Sequence, residues 1–171
     1  MLKKNSWIVL ILAIALFSCG YRFSGGGELP AGVKTVFLVI FNNRTSEIGV
    51  ENDLAAALGN TFTTVGDKDM LVKNRQEADA ELTGAINSVE IYTVSRRTET
   101  VSAERRVLIT ASARLVSKDG RTVWQQGAIS VTQAYRVAGA NQETEADRRN
   151  AIRDASVLLA QKIYNNMTSN F

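Results

Sequence analysis

The dipeptide Asp119-Gly120 separates two long segments in which apolar and polar residues alternate. An Asp-Gly pair flanked by alternating apolar residues is a strong signal for a two-residue β-hairpin turn. The pattern therefore predicts antiparallel strands over 104–117 and 122–137. Every second side chain in a strand lies on the same face, so one face is expected to be buried. The predicted buried positions are Val107, Ile109, Ala111, Ala113, Leu115, Val123, Ile129, Val131 and Tyr135.

The same turn predicts the register of the hairpin and the character of its other face. Centring the turn on the Asp-Gly pair places Leu115 opposite Trp124 and Val107 opposite Thr132. The remaining face is rich in hydroxyl groups, which suits water or a polar enclosure such as the lumen of a large β-barrel. The hydroxyl-bearing positions are Thr110, Ser112, Thr122, Ser130 and Thr132.

Three further segments are predicted to be strands. The continuous apolar run over 33–41 indicates a strand that is buried on both faces or central in its sheet. Residues 80–94 alternate with a change of phase at Asn87-Ser88, which indicates a β-bulge. A short strand is expected at 70–72.

Two helices complete the predicted fold. The first is expected to begin at an N-cap on Ser46 and to end at Gly66-Asp67, and the second to cover about 144–167. Each carries an apolar stripe at helical spacing: Leu54, Leu58, Phe62 and Val65 in the first, and Ile152, Ala155, Leu159, Ile163 and Met167 in the second. Helices segregated from a run of strands predict an α+β fold. The expected architecture is a two-layer sandwich, with two helices on one face of a mainly antiparallel four- to five-stranded sheet.

The N-terminus resembles a lipoprotein export signal. Lys3 and Lys4 precede an apolar run over 7–17 that is about half the length of a membrane-spanning helix, which needs roughly twenty residues. A positively charged N-terminal region, a short apolar core and small residues at the cleavage site are typical of a secretory signal. The tetrad Leu16-Phe17-Ser18-Cys19 resembles a bacterial lipobox, in which the cysteine becomes the first mature residue and carries lipid. An ordinary signal peptide with an unrelated cysteine is the alternative.

These features predict the organisation of the whole chain. Residues 1–18 are expected to be a lipoprotein signal peptide, 19–32 the lipidated Cys19 with a glycine-rich tether, and 33–171 a single domain. Several acyl chains anchor a protein stably to a bilayer. Residue Gly20 replaces the aspartate that usually holds such lipoproteins at the inner membrane. The predicted location is therefore the outer membrane, facing the periplasm.

Composition disfavours most enzyme classes. The chain has no histidine and one cysteine, which removes the commonest general base, the commonest zinc ligand and the familiar catalytic triads. Loss of two lysines with the signal peptide lowers the formal net charge from +3 to +1. A protein that binds polyanions over its whole surface would be far more basic. We expect no catalytic residues, no metal, no cofactor and no nucleic-acid partner.

Paired arginines are the most informative polar residues. Arg96-Arg97 ends one predicted strand and Arg105-Arg106 begins the next, and a connection over 98–103 would place Arg96 opposite Arg105. Like charges across a ladder repel, so an anion is expected there; arginine binds phosphate bidentately. A solvated hairpin end is the alternative. The candidate anion-binding residues are Arg96, Arg97, Arg105, Arg106, Lys118 and Arg121, and Arg114 and Arg136 extend the positive charge along the same strands.

Several short segments together resemble the LptE family of lipopolysaccharide-assembly lipoproteins. They are Cys19-Gly20-Tyr21-Arg22-Phe23, Leu29-Pro30, Ile40-Phe41-Asn42-Asn43-Arg44-Thr45, Ala78-Asp79-Ala80-Glu81-Leu82-Thr83-Gly84 and the terminal helix. The resemblance implies two helices on a mainly antiparallel sheet and no enzymatic activity. It also implies a plug inside the large outer-membrane β-barrel LptD, which helps that barrel to assemble and binds lipopolysaccharide during export to the outer leaflet. The candidate arginines and lysine come from local chemistry and not from the resemblance.

Two other readings remain open at this point. One is a different outer-membrane lipoprotein, such as a secretion-pore component or a pilotin, because the run Val36–Phe41 before Asn-Asn is similar to curli-type secretion lipoproteins. Co-purification separates them, since a plug binds one barrel and a pore component forms a homo-oligomeric ring. The other is a periplasmic enzyme with an unrecognised carboxylate site, which the absence of histidine disfavours.

Overall fold

In the computed structural model of this protein, the described residues are 27–95, 104–137 and 141–169. Among them are six strands, two α-helices and two 3₁₀ turns, the latter at Pro30–Gly32 and Arg75–Glu77. The strands and helices are β1 (Val36–Leu38), β2 (Asn42–Asn43), α1 (Val50–Thr64), β3 (Leu71–Val72), β4 (Ala80–Ser95), β5 (Glu104–Ser117), β6 (Thr122–Arg136) and α2 (Asn141–Thr168).

The strands form one open sheet in the order β3-β1-β4-β5-β6, with β2 paired to β4 beyond the end of β1. The long strands β4, β5 and β6 are antiparallel. The short strands are parallel to their neighbours. The prediction of an α+β fold with a mainly antiparallel sheet and two helices is confirmed, and the two-residue β2 adds a sixth strand.

The hairpin prediction is confirmed near the turn and is wrong by one residue farther away. Leu115 pairs with Trp124 as predicted, and the turn contains Gly120 at a φ of 85°, which favours glycine. Val107 pairs with Gln133 and not with Thr132. The reason is that β6 inserts an extra residue between the pairs Ala111–Ile129 and Ala113–Gln126, so the register beyond this bulge moves by one. The bulge predicted in β4 is also present, between Ile86 and Ser88.

The apolar run over 33–41 is not one continuous strand. Leu38 pairs with Leu82 and Asn42 with Ala85, so the first segment spans one more residue than the strand beside it. This bulge leaves Ile40 59% exposed while Phe41 is 3% exposed. Two strands, β1 and β2, therefore replace the single predicted strand. The segment is nonetheless central, because β1 lies between β3 and β4.

Helix α1 begins at Val50 and not after a cap on Ser46. Its N-cap is Gly49 at a φ of 92°, and Thr45 Oγ accepts a hydrogen bond from the backbone N–H of Glu47 at 3.1 Å, which holds the preceding turn. The stripe predicted on α1 is buried except for its last member: Leu54, Leu58 and Phe62 are inside, and Val65 is exposed. The stripe predicted on α2 is buried throughout: Ile152, Ala155, Leu159, Ile163 and Met167.

The core lies between the helices and the face of the sheet that carries Leu82, Ile109 and Leu115. Full burial of each such side chain contributes about 1.5–3 kcal/mol. Phe62 of α1 and Tyr164 of α2 meet edge to face, with ring centroids 5.2 Å apart and an interplanar angle of 85°. Neither helix is long and apolar enough to cross a bilayer, nor is any other helix of the described segments.

Residues just before β1 also belong to this core. Leu29 and Pro30, from the end of the segment predicted to be a tether, are buried, and Leu29 is 5% exposed. Gly27 lies against the C-terminal turn of α2, where a Cβ atom would approach Thr168 Cβ to 2.6 Å. The described part of the chain therefore includes packed residues before position 33.

Candidate functional site

The sheet face opposite the helices carries small polar side chains. Alternation from the buried Ile109 and Ala111 places Thr110 and Ser112 on this face. Thr110 pairs with Ser130 across β5 and β6, and their hydroxyl oxygens lie 3.0 Å apart. This predicted hydroxyl-rich surface is hereafter called the open face.

A groove of about 500 Å³ crosses the open face between β2 and β6. Two of its side chains are cationic and none of its lining residues is acidic. The lining residues are Asn42, Arg44, Thr83, Gly84, Ala85, Ser112, Ala113, Arg114, Gln125, Gln126 and Gly127. Two cations surrounded by amides and hydroxyls give this groove a local positive charge.

Arg44 reaches the groove because of the bulge before β2. Asn42 pairs with Ala85, and the backbone N–H of Arg44 donates to the Ile86 carbonyl at 3.0 Å, which continues that pairing. Alternation along β2 then places Asn42 and Arg44 on the open face and Asn43 between them on the helix side. The Arg44 guanidinium donates from Nη1 to Asn87 Oδ1 at 3.5 Å.

Arg114 enters the same groove from the middle of the sheet. It lies on β5, opposite Thr83 of β4 and Gln125 of β6. Its Nε donates to Thr83 Oγ1 at 3.1 Å, which directs the side chain along the groove. Within the described segments neither Arg114 nor Arg44 forms an ion pair, in contrast to Arg148.

This arrangement is suited to an anionic ligand with several oxygen atoms. A guanidinium offers a planar fork of N–H donors that matches phosphate or carboxylate, and charge-assisted hydrogen bonds are about twice as strong as neutral ones. The amide of Gln125 and the hydroxyl of Ser112 add donors for sugar or phosphate oxygens, whereas the Gln126 side chain faces the helices and accepts a hydrogen bond from Asn166 of α2 at 2.8 Å. No group of acidic, histidine or cysteine residues that could hold a metal ion occurs in the described part of the chain.

The structure separates Arg105 from Arg106, the second of the two arginine pairs predicted from the sequence. Arg105 lies opposite Thr93 and Tyr135, so the predicted pairing of Arg105 with Arg96 is wrong. The register that follows the bulge after Ile86 places position 93, and not position 96, beside Arg105. Arg105 and Arg106 are neighbours on β5 and therefore face opposite sides of the sheet. Arg106 lies on the open face, where its Nε is 3.4 Å from Glu104 Oε1.

Lys118 and Arg121 lie at the other end of β5, which at about 3.4 Å per residue is roughly 45 Å away. Both contribute to the turn. Lys118 Nζ donates to the Gln76 carbonyl at 3.0 Å, and Arg121 Nε is 2.6 Å from Asp119 Oδ2. Hydrogen bonds from the Ser117 hydroxyl and from Arg121 lower the pKa of Asp119 to about 2. The four candidates within the described segments thus do not form one cluster.

Three predicted residues lie outside the described segments: Cys19, Arg96 and Arg97. From the sequence, Arg114 is predicted only to extend the positive charge along β5, and Arg44 is not among the predicted binding residues. The signal for Arg114 was available, since it alternates with the buried Ala113 and Leu115. The position of Arg44 depends on the bulge at residues 39–41, which the apolar run conceals.

The chain was compared with known proteins. A family model described as LptE, lipopolysaccharide-assembly, matches residues 33–167. No curated protein sequence matches.

Similar solved structures include a lipoprotein from Caulobacter crescentus CB15, with 16% identity, a TM-score of 0.53 and coverage of 75% of this chain and 88% of that chain. Rare lipoprotein B from Shewanella oneidensis has 12% identity, a TM-score of 0.53 and coverage of 75% and 93%. Lipoprotein B from Nitrosomonas europaea has 16% identity, a TM-score of 0.50 and coverage of 88% and 94%.

At these identities the structural similarities establish only the fold. The family model covers most of the chain, including both helices nearly to their ends and the three long strands. The protein therefore belongs to the LptE family of lipopolysaccharide-assembly proteins.

Proposed function

We propose that this protein is an outer-membrane lipoprotein, anchored through lipid on Cys19, that plugs and helps to assemble an LptD-type β-barrel and binds lipopolysaccharide during its export. Membership of the lipopolysaccharide-assembly family supports a role in lipopolysaccharide export. The signal-like N-terminus and the lipobox support the anchor. The body would then lie on the periplasmic side of the membrane and in the barrel lumen.

The single observation that carries the ligand proposal is the acid-free groove on the open face, with Arg44 and Arg114 in its lining. Lipopolysaccharide bears phosphate groups beside sugars, and the groove combines guanidinium donors with amides and hydroxyls. A well-made charge-assisted hydrogen bond contributes roughly 1.5–3 kcal/mol. Loss of either arginine is therefore expected to weaken binding about tenfold or more.

The open face also supports the plug proposal. A large barrel lumen is lined by polar side chains, and a plug needs a surface that tolerates both water and polar neighbours. The row formed by Ser88, Thr110 and Ser130 offers hydroxyl groups that donate or accept hydrogen bonds. The helices cover the other face and keep the apolar core away from the lumen.

Binding is tested with purified lipopolysaccharide and the protein carrying Arg44→Glu or Arg114→Glu. Each variant should lose at least tenfold in affinity, and dephosphorylated lipopolysaccharide should bind weakly to the unmodified protein. Arg149→Glu is the matched control, because Arg149 is exposed on α2, on the other side of the sheet. Equal affinity of the groove variants and the control, with all proteins folded, would refute the groove as the site.

The same assay tests the original arginine candidates. The double variant Arg105→Glu/Arg106→Glu reverses charge on both faces of one sheet end. If it abolishes binding while the groove variants do not, the phosphate site lies at that end and not in the groove. If only the groove variants lose affinity, the candidates at 105 and 106 are excluded.

The plug proposal is tested by isolating the lipidated protein from its own outer membrane in mild detergent. A stoichiometric large β-barrel partner, identified by mass spectrometry, is the expected result. Recovery as a homo-oligomeric ring would contradict the proposal and favour the secretion-pore reading. Retention of the protein in the membrane fraction should be lost on Cys19→Ser, which tests the lipid anchor separately.

A further inference from the structure

Asn43 is the side chain beside Arg44 that faces away from the groove, toward the helices. Its amide makes four hydrogen bonds within the turn and with α1. The Nδ2 group donates to the Glu47 carbonyl at 2.7 Å and to Glu51 Oε2 at 2.8 Å. The Oδ1 atom accepts from the backbone N–H of Thr45 at 2.9 Å and from Thr45 Oγ1 at 2.8 Å. Both donor hydrogens and both acceptor positions of this amide are therefore used.

These bonds fix the backbone on the C-terminal side of Arg44. The preceding side is fixed by the sheet, because Asn43 pairs with Ile86 and the Arg44 N–H donates to the Ile86 carbonyl at 3.0 Å. Arg44 thus projects from a main chain that is held from both directions. A binding group held before the ligand arrives loses less conformational freedom on binding, which raises affinity.

An ion pair extends this support to the second helix. Glu47, whose carbonyl accepts from Asn43, bonds through Oε2 to Arg148 Nη1 at 2.6 Å, and Arg148 Nη2 lies 2.7 Å from Glu145 Oε1. The side chains of Glu47 and Arg148 are each 22% exposed, so this pair is shielded more than an ordinary surface pair. The turn that carries Arg44 is therefore connected to α2 as well as to α1.

We propose that Asn43 is a positioning residue for the anion-binding groove: its amide holds the turn that directs Arg44 toward the phosphate of the ligand, and the Glu47–Arg148 pair supports that turn from α2. This inference rests on the proposed binding of lipopolysaccharide in the groove. It assigns no ligand contact to Asn43 itself. The effect of Asn43 on affinity must consequently pass through Arg44.

A double-mutant cycle tests this dependence with purified lipopolysaccharide as the probe. Asn43→Ala should weaken binding several-fold, and Arg44→Ala about tenfold. In the double variant the affinity should equal that of Arg44→Ala alone, because a positioning residue has no effect once the positioned group is absent. Thermal unfolding is measured in parallel, and binding is measured well below each midpoint.

Two further variants distinguish a loss of positioning from a general loss of stability. Thr45→Val keeps the side-chain shape and removes a hydroxyl that donates to Asn43 Oδ1 and accepts from the Glu47 N–H. It should weaken binding of the ligand with the same dependence on Arg44. Ser156→Ala removes a buried hydrogen bond to the Ile152 carbonyl of α2, away from the groove, and should leave affinity unchanged.

The outcomes separate the two proposals. If Arg44→Ala and Arg114→Ala leave affinity unchanged, the groove proposal and this inference both fall. If they weaken binding but Asn43→Ala and Thr45→Val do not, the inference is overturned and the groove remains. Additive losses from Asn43 and Arg44 would also overturn it, since Asn43 would then act independently of Arg44.

Discussion

At the residue scale, Tyr164 is a fully buried aromatic side chain whose hydroxyl has no hydrogen-bond partner in the described part of the protein. Burial raises the pKa of this hydroxyl. A buried polar group without a partner costs about 1–3 kcal/mol. The ring nonetheless contributes to packing, because it makes an edge-to-face contact between α2 and Phe62 of α1.

Tyr164→Phe is therefore expected to leave the free energy of unfolding unchanged or to raise it by about 1 kcal/mol, because the ring remains and the unpaired hydroxyl is lost. Urea unfolding measures the difference. Tyr164→Ala is the comparison and should cost about 3–5 kcal/mol, since it removes the ring from the core. A clear loss of stability in the phenylalanine variant would show that the hydroxyl has a partner in solution.

Asp79 is a second residue with a specific role, at the junction of β1 and β4. Its Oδ2 atom accepts hydrogen bonds from the backbone N–H groups of Lys34 and Thr35, each at 3.0 Å. These bonds, that from Lys34 first, lower the pKa of Asp79 below its ordinary value of 3.8. The folded state thus favours the charged carboxylate, and its contribution to stability is present above that value and lost as the pH falls through the folded pKa.

Asp79→Asn should lower the unfolding midpoint at neutral pH and should make the stability fall less steeply with acid below pH 3.8 than in the unmodified protein. Thermal unfolding over a pH series measures both effects. Asp69→Asn, at an exposed aspartate outside this junction, is the control. An unchanged acid slope in Asp79→Asn would contradict the lowered pKa of Asp79 in the folded state.

At the element scale, the path of the first strands depends on Gly84 of β4. A Cβ atom at this position would lie 2.3 Å from the Phe41 ring and 2.3 Å from the Ser112 carbonyl oxygen. Phe41 can therefore cross β4 closely only because residue 84 has no side chain. This crossing accompanies the bulge that separates β1 from β2 and brings Arg44 to the open face.

Gly84→Ala is expected to destabilise the protein by about 1–3 kcal/mol, because the added methyl group forces the backbone of β4 away from Phe41. Gly127→Ala is a matched control on β6, where a Cβ atom would meet nothing within 4 Å. Chemical unfolding compares the two. The Gly84 variant should also bind lipopolysaccharide more weakly, since the displaced β2 carries Arg44; equal stability of both variants would contradict the packing argument.

At the scale of the whole molecule, the packed domain includes residues before 33. Leu29 is buried in the common core and Gly27 abuts the end of α2. A chain beginning at residue 33 should be less stable by about 1.5–3 kcal/mol than one beginning at residue 27, because it loses the Leu29 side chain. Urea unfolding of both chains measures this difference.

Leu29→Ala in the longer chain should reproduce most of that loss, whereas Glu28→Ala, at an exposed neighbour, should not. Equal stability of the two chain lengths would mean that the segment before residue 33 contributes no packing energy.

Much of the fold was predictable because it is encoded in local periodicity. The alternation on both sides of Asp119-Gly120 predicts β5, β6 and the pairing of Leu115 with Trp124, and helical spacing predicts the buried stripe of α2. The phase change in 80–94 predicts the bulge after Ile86. Each of these signals is contained in a few neighbouring residues, so no knowledge of distant contacts was needed.

The candidate site was predictable only in its chemistry. Alternation along β5 is enough to predict that arginines and hydroxyl groups share a polar sheet face, and that the neighbours Arg105 and Arg106 lie on opposite faces. The meeting of Arg44 with Arg114 in one groove, by contrast, depends on contacts between distant segments. The physical reason is that bulges and close approaches set the register between distant strands; the contact of Phe41 with Gly84 is such an approach, and it arises between segments far apart in the chain.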